Sequence, residues 1–257
     1  MNWYGHWKRE RLLRRHRIPQ MEFDDAAAGL PLLTGLAPEE REMLRDRASL
    51  LLADKHFSAA GGAEVERPVQ LRIALQACLL TLHLDEASYR GWSEIILYPD
   101  EFLRPHEEID EAGVVHISRD ILAGESWHGG PLVLSIADVA ASGRLEGYNV
   151  VLHEFAHKLD MLNGDANGFP PLHRGMKAAD WARDFSTAYE DLCARVDAGE
   201  DTIVDPYAST SPAEFFAVAT EMFFEVPDLL VDTYPAVYVQ MQQFYRQDPL
   251  ARLGRPT

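Results

Sequence analysis

Apolar residues recur at helical spacing through much of the chain, and the repeat is clearest between residues 148 and 162. One stripe suited to face a protein core is formed there by Tyr148, Val151, Leu152, Phe155, Leu159 and Leu162. Similar repeats, several of them opened by proline, predict further helices at Pro38 to about Phe57, Pro68 to Leu84, Trp181 to Val196, Pro212 to about Val226 and Pro235 to Gln247. Core-facing helices should therefore make up much of the fold.

Three short segments rich in β-branched and aliphatic residues predict the strands of a small sheet: Glu94–Tyr98, Val114–Ser118 and Leu132–Ile136. Each of them is bounded by Gly, Pro or Asp, which favour turns. The strands cluster before the helix at residues 148–162 and helices follow it. This order predicts an α+β fold rather than a doubly wound sheet.

The central helix carries His153, Glu154 and His157 in the pattern H-E-x-x-H, and the two histidines lie off its apolar stripe. Residues four apart project from one helix face with Cβ atoms about 6 Å apart, which suits two ligands of a tetrahedral zinc ion. Glu154 lies one step round the helix, where its carboxylate can reach a water molecule at the metal without binding the metal. The five-residue pattern also occurs by chance, so it needs a third ligand to support it.

The predicted helix after Ser211 supplies candidates for that ligand, since Glu214, Glu221 and Glu225 share one stripe of an otherwise apolar segment. Buried carboxylates are costly unless a cation or hydrogen-bond donors face them. Glu214 is the predicted third ligand, although Ser211-x-x-Glu214 also fits a helix capping box. Glu221 is predicted to orient a ligand histidine, with a buried salt bridge as the alternative.

Asp160, three residues after His157, shares the face of the ligand histidines. Binding the metal directly would place it in competition with Glu214, so a hydrogen bond to a ligand or a turn cap is the preferred role. The other histidines considered have no partner at ligand spacing and are predicted to be surface or core residues: His56, His83, His106, His116, His128 and His173.

Several segments together resemble the Mlc titration factor A family of bacterial zinc peptidases, which is similar to the catalytic domain of anthrax lethal factor. The matching segments are residues 149–161 with Asn163-Gly-Asp165, Tyr207-Ala208, residues 211–218, residues 221–224 and residues 243–250. A looser agreement extends over roughly residues 20–250. The resemblance implies a zincin-like metallopeptidase domain of the gluzincin type, with a small mixed sheet, the H-E-x-x-H helix and additional packed helices.

The resemblance also implies roles for single residues. One Zn²⁺ ion would be bound by His153, His157 and Glu214, with Glu154 as the base, and Tyr207 would lie near the substrate carbonyl. Without the resemblance, Tyr207 could equally be a packed aromatic residue. Zincins usually bind an extended substrate along an edge strand, for which Leu132–Ile136 is the candidate; the alternative is that all three predicted strands are core strands.

The resemblance implies zinc-dependent hydrolysis of small peptides by an aminopeptidase-like activity. The alternative, which the family name implies, is a binding protein that sequesters a transcriptional repressor of the glucose phosphotransferase system, with the zinc site secondary. The partners expected are therefore a peptide substrate and that repressor protein.

Composition restricts the cellular setting. With 257 residues, 47% of them hydrophobic, the chain can bury a large core without crosslinks. Cys78 and Cys193 are the only cysteines and have no C-x-x-C spacing, so a reducing cytoplasm is expected. Apolar runs stay short of the roughly 18 residues of a membrane span, and the N-terminus has no apolar stretch of a signal peptide.

Charge divides the chain into a basic N-terminal segment, residues 1–19, and a single predicted catalytic domain with helical elaborations, residues 20–257. Residues 1–18 hold six basic residues and one acidic residue, a net +5, which leaves −22 for the rest of the total of −17. The acidic body disfavours direct nucleic-acid binding. The basic segment, with Trp3, Tyr4 and Trp7, could bind an acidic surface, a membrane face or RNA; docking onto its own acidic body is the preferred interpretation.

Overall fold

The computed structural model describes residues 3–62, 64–85, 87–99, 108–109, 115–116 and 130–255. Its α-helices are α1 (Trp3–His16), α2 (Gln20–Ala28), α3 (Pro38–Asp54), α4 (Arg67–Leu80), α5 (Ile136–Ala141), α6 (Val150–Asp160), α7 (Ala178–Asp197), α8 (Pro212–Glu225), α9 (Pro227–Thr233), α10 (Pro235–Tyr245) and α11 (Pro249–Leu253). The strands are β1 (His56–Ala59), β2 (Glu94–Tyr98), β3 (Glu108–Ile109), β4 (Val115–His116) and β5 (Leu132–Ser135). This mixture confirms the predicted α+β class.

The three-stranded sheet has the order β1-β2-β5, and both of its pairings are parallel. A separate antiparallel pair is formed by β3 and β4. Within the predicted strand 114–118, Val115 and His116 form β4, while residues 114, 117 and 118 lie outside the described residues. Ile136, predicted to end a strand, instead begins α5, because the Ser135 side chain caps that helix by accepting a hydrogen bond from the Asp138 amide.

The prediction that a helix continues to about Phe57 is wrong, because strand β1 begins at His56. That helix, α3, ends at Asp54, and Lys55 already has extended backbone angles. The buried Lys55 ammonium donates to the carbonyl oxygens of Tyr89 and Trp92, and the His56 amide donates to the Ser93 carbonyl at 2.7 Å. These contacts with a segment distant in sequence start parallel pairing and stop the helix.

The core lies where α6 packs against both α4 and α8. Helix α8 is buried along almost its whole length, as its apolar sequence predicts. Phe155 on α6 makes edge-on contacts with Tyr89 and Trp92, with ring centroids 4.9 and 5.7 Å away. On the other side of α8, Trp181 stacks on Phe185 with centroids 4.1 Å apart. The helix that bears the motif and the helix that bears Glu214 are therefore packed closely against each other.

Local signals set where these two helices begin. The Asn149 side chain caps α6 by accepting a hydrogen bond from the Leu152 amide, and the Ser211 hydroxyl accepts from the Glu214 amide at the start of α8. Pro212 occupies the first turn of α8, as predicted. In the described part of the chain, no helix combines the length and the apolar character needed to cross a membrane.

Candidate metal centre

The three side chains predicted to bind a metal meet where α6 crosses the first turn of α8. The Nε2 atoms of His153 and His157 lie 3.2 Å apart, and Oε2 of Glu214 lies 2.9 Å from the first and 3.4 Å from the second. Ligands about 2.05 Å from a tetrahedral zinc ion are separated by about 3.3 Å. The three donor atoms thus form one face of a tetrahedron of that size.

The charges around these atoms also suit a cation. Burial alone would lower the pKa of His153, but the carboxylates of Glu214 and Glu221 raise it, to about 10. Burial opposes ionisation of Glu214, and the two neighbouring imidazoles more than offset it, so the pKa of that carboxyl is lowered. The buried Oε2 atom of Glu214 has no properly directed hydrogen bond to any described residue, despite its short distances to the imidazoles. An oxygen lone pair left in this way fits a metal ion.

Glu214 therefore does not complete a capping box, the alternative that its spacing allowed. Ser211 caps α8 with its hydroxyl, but the Glu214 carboxylate points to the two histidines of α6. The Ser211 hydroxyl therefore stabilises the start of α8, while the Glu214 carboxylate contacts the histidines of α6.

Glu221 occupies the position predicted for orienting a ligand histidine. Its Oε1 atom lies 2.8 Å from Nδ1 of His153, and its Oε2 atom accepts from the Asn149 amide at 2.5 Å. Nδ1 donates its proton to this carboxylate, so Nε2 faces the cluster, where a metal ion could take the place of its proton. The contact holds the His153 ring with Nε2 toward His157 and Glu214.

Glu225 extends the same stripe by one turn, but it faces hydrogen-bond donors rather than the cluster. Its two oxygens accept from the Asn149 side-chain amide at 2.7 Å and the Leu145 backbone amide at 2.5 Å. The side-chain amide of Asn149 also donates to the side-chain oxygen of Gln76 on α4. Glu225 belongs to the carboxylate stripe that supplied the candidate ligands, whereas the sequence predicts no role at the site for Asn149 or Gln76; the helix-capping position of Asn149 is the local signal that could have indicated it.

Asp160 is fully buried and caps a turn, one of the two roles preferred for it. Its Oδ2 atom accepts from the amides of Asn167 and Gly168, at 2.8 and 2.7 Å. Oδ1 of Asp160 and Nδ1 of His157 both lack a hydrogen-bond partner among the described residues, so the ligand-orienting bond is not made in this structure. Asp160 instead fixes the loop that follows α6.

That loop passes over the first turn of α8 at Gly168, where the backbones are too close for a side chain. A Cβ atom on Gly168 would lie 2.4 Å from the Pro212 carbonyl oxygen, and the residue has φ of +75°. Its carbonyl accepts a hydrogen bond from the Trp181 indole at 3.1 Å. The close approach helps to hold the turn of α8 from which Glu214 projects.

Glu154 and Tyr207 lie beside the cluster. Glu154 is half-buried on α6, and its carboxylate has no hydrogen-bond partner among the described residues. Tyr207 lies in the 3₁₀ turn Pro206–Ser209, which the Asp205 side chain caps, and its ring centroid is 6.2 Å from that of His153. The structure thus brings both predicted catalytic residues next to the histidine pair.

Two of the remaining histidines have partners elsewhere in the fold. His83 contacts Glu40 at 3.0 Å, and His173 binds the Phe244 carbonyl at 2.5 Å. His106 and His128 lie outside the described residues. Within the described residues, His153, His157 and Glu214 are the one group of three or more potential ligands close enough to share an ion.

Sequence comparison agrees with this geometry. The family profile of the glucose-regulated metallo-peptidase M90 matches residues 4–246. The chain belongs to this family. Among its relatives, Mlc titration factor A of Serratia proteamaculans (strain 568) is 41% identical over 237 residues, which cover 91% of this chain and 90% of the relative. Mlc titration factor A of Yersinia pestis (strain Pestoides F) is 40% identical over 232 residues, 89% of this chain and 86% of the relative.

The comparisons confirm the resemblance to the Mlc titration factor A family. A metallopeptidase family and a cluster of His153, His157 and Glu214 compatible with a metal ion are two independent observations. The profile also spans both the motif helix and α8, so the site lies entirely within the family domain.

Proposed function

We propose that this member of the glucose-regulated metallo-peptidase family is a zinc-dependent peptidase. The observation that carries the proposal is the convergence of two imidazole nitrogens and one carboxylate oxygen at separations of 2.9 to 3.4 Å. Two nitrogens and one oxygen are a common ligand set of catalytic zinc, which keeps a fourth position for water or substrate. His153, His157 and Glu214 would hold the ion.

When bound, zinc would make a water molecule acidic enough to attack near neutral pH and would polarise the scissile carbonyl. Glu154 is the proposed general base: its carboxylate, half-buried beside the histidines, takes a proton from the attacking water and then delivers it to the leaving amine nitrogen. Tyr207 is proposed to donate its hydroxyl proton to the substrate carbonyl oxygen as negative charge develops there, a contribution of about 2.7–4 kcal/mol for a well-placed donor.

The proposed substrate is a short peptide in extended conformation, cleaved by an aminopeptidase-like activity. Strand β5 lies at one end of the three-stranded sheet among the described residues, where a peptide could pair with its outer edge. Lys158 on the motif helix donates to the Gly130 carbonyl at 3.0 Å and so joins the approach to β5 to the metal centre. We place this activity in the cytoplasm, because Cys78 and Cys193 form no disulfide.

Glu154→Gln tests the proposal directly. Turnover of fluorogenic peptides should fall by about 10²–10⁴-fold, since the amide cannot take up the proton, while zinc content measured by metal analysis stays at one ion per chain. Glu190→Gln, the same change at an exposed position of α7, is the matched control and should leave both unchanged. Undiminished hydrolysis by the Glu154→Gln variant would remove Glu154 from the mechanism.

Blocking the N-terminus of the peptide substrate tests the proposed aminopeptidase-like activity. An aminopeptidase-like enzyme should cleave peptides with a free N-terminal amine and lose most activity on the same peptides after N-terminal acetylation. Equal cleavage of both sets would show an endopeptidase and would leave the zinc mechanism untouched.

The relatives' names support a second candidate function. Two relatives at 40–41% identity are named for titration of Mlc, so we propose that this chain also binds a transcriptional repressor of the glucose phosphotransferase system. Such binding needs a surface rather than turnover, so the Glu154→Gln variant should retain wild-type affinity for Mlc in a calorimetric titration. Absence of binding by both the wild type and the variant would exclude this role.

A further inference from the structure

Helix α1 contains most of the basic segment and plays no part in the metal centre. Its inner face packs on α3: Arg9 lies 3.6 Å from Asp46, while Leu12 and Leu13 are half-buried. Just beyond the helix, Arg17 binds Asp46 at 2.7 Å and Glu42 at 2.6 Å. These contacts use part of the positive charge to attach α1 to the acidic body, as docking of the segment requires.

The opposite side of α1 carries basic residues that do not take part in these contacts. We call it the α1 outer face; at 100° per residue it spans about 120° of the helix and consists of Trp7, Lys8, Arg11, Arg14 and Arg15. All five side chains are exposed, and the indole of Trp7 remains 43% exposed. Arg14 pairs with Glu10, but Lys8, Arg11 and Arg15 form no ion pair within the part of the chain that the structure describes.

Helix stability accounts for only some of these residues. Arg14 and Arg15 lie in the last turn, where positive charge is favourable to the helix dipole. Lys8 and Arg11 lie outside that turn and gain little from the dipole, and an exposed tryptophan beside them adds nothing to the core. A cationic face with one exposed indole suits electrostatic docking at an anionic leaflet, with the indole at the level of the headgroups.

We propose that the α1 outer face binds an anionic lipid surface, with α1 lying parallel to it. Charge complementarity selects this occupant: the face is cationic, whereas the remaining chain has a net charge of −22 and would be repelled. The repulsion orients the molecule so that α1 alone contacts the lipid. The Arg11 guanidinium lies 5.4 Å from the Trp7 ring centroid and covers a ring face on which a nucleic-acid base could stack, so the exposed indole suits headgroups better than RNA.

The test is sedimentation of the full chain with vesicles of phosphatidylcholine containing 30 mol per cent phosphatidylglycerol, compared with phosphatidylcholine alone. The wild type should bind only the anionic vesicles, and added salt should release it. Lys8→Glu/Arg11→Glu should reduce the partition coefficient by about twentyfold or more, since each basic residue near an anionic leaflet contributes about fivefold. Trp7→Ala should weaken the binding that remains at higher salt.

Arg90→Glu/Arg174→Glu is the matched control, because it makes the same change in net charge at two exposed positions outside α1. This variant should bind almost as the wild type does, and circular dichroism with thermal unfolding should show that every variant is folded.

Three outcomes would overturn the proposal: equal loss of binding in both double variants, equal binding to neutral and anionic vesicles, or no binding by the wild type. Stronger binding to polyuridylate than to anionic vesicles would assign the face to nucleic acid, and concentration-dependent dimerisation lost in Lys8→Glu/Arg11→Glu would assign it to a second copy. None of these outcomes depends on peptidase activity.

Discussion

Replacing Glu221 by glutamine should weaken zinc binding without removing a ligand. Oε1 of Glu221 lies 2.8 Å from Nδ1 of His153, and the two side chains are only 4% and 8% exposed, so solvent screens the contact little. A hydrogen bond that involves a charged group contributes about 1.5–3 kcal/mol. Loss of a carboxylate behind a ligand histidine typically costs about 10–100-fold in metal affinity, or about 1.4–2.7 kcal/mol. Both figures predict a similar loss of zinc-binding free energy for Glu221→Gln.

Glu225→Gln provides a matched control on the same helix. Each carboxylate accepts two short hydrogen bonds, so either amide variant leaves one donor facing an NH₂ group and should lose about 1–3 kcal/mol of stability without zinc. Only Glu221 contacts a proposed ligand. Glu225→Gln should therefore keep zinc affinity within about twofold of the wild type.

Competition with a chromophoric chelator at pH 7.5 measures the affinities, and urea unfolding of the chelated proteins measures the stabilities. Wild-type zinc affinity in Glu221→Gln would contradict the role of Glu221, and so would a loss of affinity in Glu225→Gln as large as that in Glu221→Gln. The second result would mean that general loosening of α8, and not the orientation of His153, controls the metal.

Three further outcomes follow from packing. Phe155→Ala should cost about 3–5 kcal/mol in urea unfolding, because it empties a fully buried site between two aromatic rings, and a loss under 1 kcal/mol would contradict the packing. Gly168→Ala should lower the free energy of unfolding by at least about 1–2 kcal/mol and also weaken zinc binding. A Cβ atom on Gly175 would meet no atom within 4 Å, so the control Gly175→Ala should change that free energy by less than about 0.5 kcal/mol. Burial raises the pKa of Cys78 to about 12. In the Cys193→Ser variant, a thiol reagent at pH 8 should therefore modify Cys78 only after the protein has been unfolded. Rapid modification of the folded variant would refute the burial of Cys78.

The sequence alone determined the features that depend on neighbouring residues. The H-E-x-x-H spacing places both histidines on one helix face, and Ser211 with Pro212 marks the start of α8. Helical periodicity and capping act over three or four residues, so they can be detected in the sequence. The residue assignment of Glu214 needed one more step, the physical cost of a carboxylate on an apolar helix, and the family resemblance supported it.

Only the tertiary structure decided which of these local features meet. His153 and Glu221 are 68 residues apart in sequence, and Asn149 reaches Gln76 and Glu225 across separations of 73 and 76 residues. The same holds for β1: the segment just before its parallel partner β2 accepts hydrogen bonds from Lys55 and His56, where α3 has ended. Asp160 likewise had two plausible roles until the loop at Gly168 brought backbone amides to its carboxylate. A side chain's local spacing limits the directions in which it can point, but the packing of distant segments supplies the partner that fixes its role.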